Sequence, residues 1–100
     1  MAAPVETVKL APATAAGRSA SIIVEMGQVV VVCLYATELA HGCRAPIHRK
    51  VNGLWQPVNE EDETAGFLDE GRREYVLTAP GEYSVDKPAT PVAVGVMEIR

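Results

Sequence analysis

Aromatic residues, cysteines and positive charge are all scarce in this 100-residue chain. It has one Trp, one Phe, three Tyr and two Cys, and nine Lys and Arg against thirteen Asp and Glu. With so few rings, a core has to be built from Val, Ile, Leu and Ala, and the wealth of valine favours strands over helices. Cys33 and Cys43 stand too far apart for the close ligand pairs of a zinc site. Only His41 and His48 add to the soft ligands, so neither a metal nor a cofactor is expected. The N-terminus lacks a basic segment followed by a continuous apolar stretch, so no signal peptide is expected and both thiols should be reduced. A formal net charge of −4 argues against a nucleic-acid partner. The one local basic cluster, Arg44, His48, Arg49 and Lys50, reads better as charge on an exposed strand. No apolar run approaches the ~20 residues of a membrane span, because Glu25, Gly27 and Gln28 interrupt the most apolar window, 22–36. Also missing is a nucleophile set beside a base. Ser19, Ser21 and Ser84 sit in no G-x-S-x-G turn, and no spacing ties them to His41 or His48, so the chain is not expected to be an enzyme. The acids Glu60, Glu61, Asp62 and Glu63 lack the spaced oxygens and sharp Gly turn of a calcium loop and read as a solvated loop.

What is present is a succession of short runs that alternate or are apolar throughout, separated by turn residues. Ile22 and Val24 alternate with Ile23 and Glu25. Residues 29–36 form a continuous apolar run rich in valine. Such a run suits a central strand covered on both faces, and its β-branched side chains disfavour a helix. Asn52-Gly53 between 45–51 and 54–58 is the strongest hairpin signal in the chain and predicts a two-residue type I′ turn. That register pairs Val51 with Leu54, Lys50 with Trp55, Arg49 with Gln56 and His48 with Pro57. It places the Lys50 ammonium near the indole and Pro57 on an edge strand or at a strand end. Further strands are expected at 73–79, 82–87 and 92–99, with Tyr75 and Leu77, then Tyr83 and Val85, on common faces. Pro80-Gly81 should form a turn in which Gly accepts positive φ. Residues 37–42 read as a helical turn or loop. The fold class is therefore all-β: a small antiparallel β-sandwich, Ig-like or jelly-roll-like, of seven to eight strands over residues 20–100. Residues 1–19, rich in Ala, Pro and Gly, read as an extended N-terminal arm in which 5–10 could pair as a first strand, with Val8 and Leu10 on one face. Its Val5, Val8 and Leu10 are expected to dock on a neighbouring subunit by strand addition. Trp55, beside the hairpin tip, is the other candidate contact, either a subunit anchor or a sugar platform, with cover for the face of its own sheet as the alternative.

The C-terminal stretch Pro80-Gly81-Glu82-Tyr83-Ser84-Val85-Asp86-Lys87-Pro88-Ala89-Thr90, followed by Val94-Gly95-Val96, resembles the end of small β-sandwich virion proteins of tailed bacteriophages. Asn52-Gly53-Leu54-Trp55-Gln56-Pro57-Val58 is similar to a mid-chain hairpin of the same group. The likeness covers the last fifth of the chain well and the middle loosely, and the first 45 residues carry none of it. The resemblance implies a structural virion protein of the head decoration or cement kind. It would be a homo-oligomer contacting the major capsid protein or other virion subunits, with no membrane, nucleic acid or small-molecule substrate. A neck, tail or fibre-associated protein, or a carbohydrate-binding adhesion module, is the alternative.

Overall fold

The valine-rich segments form two antiparallel sheets packed face to face. The computed structural model describes residues 4–36, 42–58 and 66–100. Ten strands occur among them: β1 (Glu6–Ala13), β2 (Gly17–Arg18), β3 (Ile22–Val24), β4 (Val30–Ala36), β5 (Arg44–Val51), β6 (Leu54–Pro57), β7 (Phe67–Asp69), β8 (Glu74–Leu77), β9 (Gly81–Lys87) and β10 (Val94–Ile99). The first sheet has the order β1-β10-β4-β8. The second runs β2-β9-β5-β6, with β3 also on β9 and β7 also on β5. Alternation decides what goes inside. Val30, Val32 and Leu34 of β4 meet Val94 and Val96 of β10 and Leu77 of β8, and the opposing sheet supplies Ile22, Val24, Ala45, Ile47, Leu68, Tyr83 and Val85. This is the all-β sandwich that the turn spacing predicts, and β4 is an interior strand of its sheet as expected.

The hairpin forms in the expected register. Val51 pairs with Leu54, Lys50 with Trp55, Arg49 with Gln56 and His48 with Pro57. Asn52 and Gly53 have φ of 52° and 79°, as a type I′ turn requires. Gly53→Val should therefore cost more than the ~1 kcal/mol of an ordinary surface change, and an unchanged melting temperature would exclude this turn. Pro57 ends β6, an edge strand.

Strands β8, β9 and β10 do not form successive hairpins. β8 and β10 lie in the first sheet and β9 in the second, so each connection crosses the sandwich. The buried Tyr83 donates its hydroxyl to the Ala79 carbonyl at 2.7 Å, tying down the first crossing. Gly81 does not take the positive φ expected of it. Its lack of a side chain serves another purpose: a Cβ there would stand 2.7 Å from Arg49 Nε.

The largest departure from expectation concerns residues 1–19. The described part is not an arm separate from the sandwich. β1 pairs along β10 from Glu6↔Ile99 to Ala13↔Val94, with register shifts after Val8 and after Leu10. β2 then pairs with β9 through Gly17↔Lys87 and Arg18↔Asp86. Main-chain hydrogen bonds need no apolar side chains, which is why an Ala/Pro-rich segment can belong to a sheet whose core it scarcely fills. β7 is also additional to the expected strands. The expected turn at 37–42 and the acids 60–63 lie mostly or wholly outside the described residues, although Gly42 has φ of 64°.

Candidate functional site

The structure disperses the four residues expected to bind partners. Val8 is half exposed on the outer face of the first sheet, in register with Met97. Val5 is exposed at the start of the chain's pairing with Arg100. Leu10 turns toward the core and packs against it. Trp55 lies on the far side of the molecule, half-buried on the outer face of the second sheet.

Around Trp55 the second sheet carries a connected polar network. Its centre is Arg18, delivered by β2 beside Asp86. The guanidinium Nη1 donates to Ser84 Oγ at 2.6 Å and to His48 Nδ1 at 3.1 Å. Its Nη2 lies 3.9 Å from Asp86 Oδ2, and its Cζ is 5.2 Å from the indole centroid. The Lys50 ammonium stands 5.4 Å from the same centroid, the contact expected from the hairpin register, and 3.8 Å from Glu82 Oε2. Glu82 in turn accepts from Ser21 Oγ at 2.6 Å. Farther along β5, Arg44 stacks 4.0 Å from the Phe67 centroid. The basic cluster seen in the sequence thus divides by strand parity. Arg44, His48 and Lys50 lie on the outer face, while Arg49 lies over Tyr83 on the other side.

Ser84, His48 and Asp86 are the residue types of a hydrolytic triad on one face. Their partner, however, is Arg18. A guanidinium only donates, so His48 Nδ1 and Ser84 Oγ both accept from it. The imidazole is therefore engaged by a cation, not by the serine hydroxyl it would have to deprotonate. Burial, followed by the Arg18 charge, moves the His48 pKa down from its ordinary value, with Asp86 partly opposing. The network's chemistry is structural: it ties residues 18–21 to β9, β5 and β6. Among the described residues, no three His, Cys, Asp or Glu groups gather in a way that could hold a metal ion. Also among them, no helix is long and apolar enough to cross a membrane. Burial pushes both thiols up, with Glu74 and Glu6 adding to it at Cys33 and Arg73 opposing, and with Lys87 opposing and Asp69 adding at Cys43.

Two buried charges went unnoticed in the sequence. Lys87 is 1% exposed and donates from Nζ to the Ala15 carbonyl at 2.7 Å and to that of Pro88 at 3.0 Å. Glu98 is 2% exposed, with Lys9 Nζ at 2.8 Å and Arg100 Nε also on its carboxylate. Alternation was the available signal. Lys87 shares the parity of Tyr83 and Val85, and Glu98 that of Val94 and Val96.

For Glu98, burial alone would raise the pKa, but hydrogen bonds from Lys9 and Arg100 together with their charges hold it below the ordinary carboxylate value of 4.5. A depressed folded-state pKa stabilises the fold above the unfolded value and loses that contribution as pH falls through the folded one. His48, also depressed, acts in the same direction starting near 6.5. Urea melts should therefore show stability falling in two acid stages, one below about pH 6.5 and one below about pH 4.5. Glu98→Gln should flatten the lower stage only; an unchanged slope there would mean that Glu98 is not held ionised.

No protein-family model matches the chain, and no curated protein matches it in sequence. Among solved structures, the crystal structure of SPBc2 prophage-derived protein YomS matches with a TM-score of 0.61. The match covers 99% of this chain and 95% of that one at 15% identity. At that identity the likeness is one of fold.

Proposed function

We propose that this chain is a structural protein of a tailed-bacteriophage particle, a head decoration or cement protein bound to the outside of the capsid lattice. The observation that carries the reading is the fold shared over almost the whole length with a prophage-derived protein. The phage-like stretches at 52–58 and 80–96 point to the same source. A lattice protein needs a stable module with surfaces for neighbours and no reaction centre. The network around Arg18 accords with that role, since its polar groups hold strands together. A glycan platform at Trp55 is less well supported: sugar stacking needs an open ring face, and Arg18 and Lys50 already attend the indole.

Copy number in purified particles tests the proposal. A decoration protein is present in hundreds of copies and rebinds to heads stripped of it, raising their resistance to heat. About a dozen copies or fewer would move it to the neck, tail or fibres, in keeping with ring symmetry. Binding to sugars but not to heads would make it an adhesion module.

A further inference from the structure

The apolar run of β4 suits a strand covered on both faces, yet the described residues cover only one. Val30, Val32 and Leu34 face the core, while Val31, Cys33 and Tyr35 face outward. The strand pairings extend that outer face across the sheet in two rows. One row runs Glu6, Ile99, Val31, Val76 and the next Val8, Met97, Cys33, Glu74. Val8 and Val76 are 50% and 55% exposed. The second sheet shows what a solvated outer face of this molecule looks like, with Arg18, His48, Lys50, Glu82 and Asp86 in ion pairs and hydrogen bonds. Among the described residues the first has carboxylates at two diagonal corners, Arg73 near enough for its charge to act on Cys33, and apolar side chains between them.

We infer that a second copy of this chain closes the outer face of the β1-β10-β4-β8 sheet, forming a two-fold sandwich of sheets through Val8, Val31, Cys33, Val76, Met97 and Ile99. Charge layout favours self-pairing. With a two-fold axis along the strands, β1 of one copy lies over β8 of the other. Glu6 then opposes Val76 and Glu74 opposes Val8, so no carboxylate meets another, and both stay at the wet rim. Nothing in the middle of the face demands a counter-charge that only a different protein could bring. Size sets the strength of the pair. Four strands ~4.8 Å apart and five residues at ~3.3 Å give a face of roughly 19 by 17 Å. Two such faces amount to about 650 Å² before side-chain relief, which places the pair with weak, transient associations, below the ~1,200–2,000 Å² of stable interfaces. The pair should therefore dissociate in the micromolar range and be concentration-dependent. Two aligned sheets would pack ~10 Å apart. The inference stands independently of where, or whether, the protein sits in a particle.

Sedimentation equilibrium of the full chain across the micromolar range tests it. The expected result is a reversible shift from the 10.7 kDa chain to twice that mass. Val8→Glu combined with Val76→Glu puts two carboxylates at positions already exposed in the single chain, where in the pair they would face Glu74 and Glu6 of the other copy, and should leave the circular dichroism unchanged and the mass monomeric. Leu54→Lys, at the 63% exposed hairpin tip, should still dimerise. If the double variant fails to fold, maleimide labelling of Cys33 in the natural sequence decides. Its rate should fall as protein concentration rises, with Cys43 buried and slow throughout. A monomer at all concentrations, an odd-numbered oligomer, a dimer unaffected by the double substitution, or a Cys33 rate independent of concentration would each overturn the inference.

Discussion

Gly95→Ala should lower the melting temperature by several degrees, and Gly95→Val should lower it further, although neither changes charge nor removes a contact. Gly95 pairs with Tyr35 in β10, next to the irregular stretch of β1. A Cβ at this position would lie 2.7 Å from the Leu10 carbonyl oxygen, 2.8 Å from Tyr35 Cε1 and 3.0 Å from the Pro12 nitrogen. Two of these three are backbone atoms of β1, which cannot swing aside as a side-chain tip can. Its φ is not in the positive range, so the requirement for glycine is one of space. Overpacking of this kind costs about 1–3 kcal/mol, and each kcal/mol moves the melting point of a domain this size by about 4–8 °C. Gly71→Ala is the control: its nearest neighbour is Asp69 Oδ1 at 3.6 Å, an ordinary contact, so melting should hardly change. Amide exchange separates the mechanisms, because displaced β1 should lose protection along 6–13 while β4 and β10 keep theirs. If Gly95→Ala melts like the natural sequence, β1 does not cross β10 as described.

The interior of the sandwich was legible because its strands obey local rules. Asn52-Gly53 dictates its turn without help from elsewhere, and the alternation of Ile22/Val24 and Tyr83/Val85 declares which side is buried. β1 was legible only as a possible strand at 5–10, not in its partner or its facing, for a corresponding reason. Its two register shifts destroy any period-two pattern, and its affinity for β10 lies in main-chain groups that every sequence carries. Gly95 was visible as a small residue in a strand, but the strand that needs the room lies some eighty residues earlier. The same separation hid the Arg18 network, whose Ser84 partner is 66 residues away. Residue type points to Val5, Val8, Leu10 and Trp55 as contacts, but type alone does not reveal that Leu10 faces the core or that Trp55 and Val8 lie on opposite outer faces. The two-sided apolarity of 29–36 was readable, but it promised a cover that the described residues supply on one side only.

Deleting residues 1–13 should leave a chain that no longer folds cooperatively at room temperature. An arm that merely reached to a neighbour would be dispensable to the sandwich, and the truncated protein would melt as before. The observed pairing leads to the opposite result. Without β1, Val94–Ile99 becomes the edge of its sheet, exposing a ladder that invites pairing with other chains. Leu10 is withdrawn from the side of the core. The Ala20 amide loses the Lys9 carbonyl, its acceptor at 2.8 Å. Glu98 also loses Lys9, which leaves Arg100 as the described cation on its carboxylate. Removing one partner of a buried pair typically costs 3–5 kcal/mol, against a total stability of about 5–15 kcal/mol for a domain. The lost ladder adds to that. Lys9→Met isolates the buried-charge contribution and should be destabilising while leaving β1 in place. Combining Lys9→Met with Glu98→Gln should recover part of the loss, since the orphaned charge is then neutral. Circular dichroism melts of the three variants decide the matter. A truncated chain with the natural melting temperature would show that residues 6–13 contribute nothing to the sandwich, and would restore the reading of residues 1–19 as an arm.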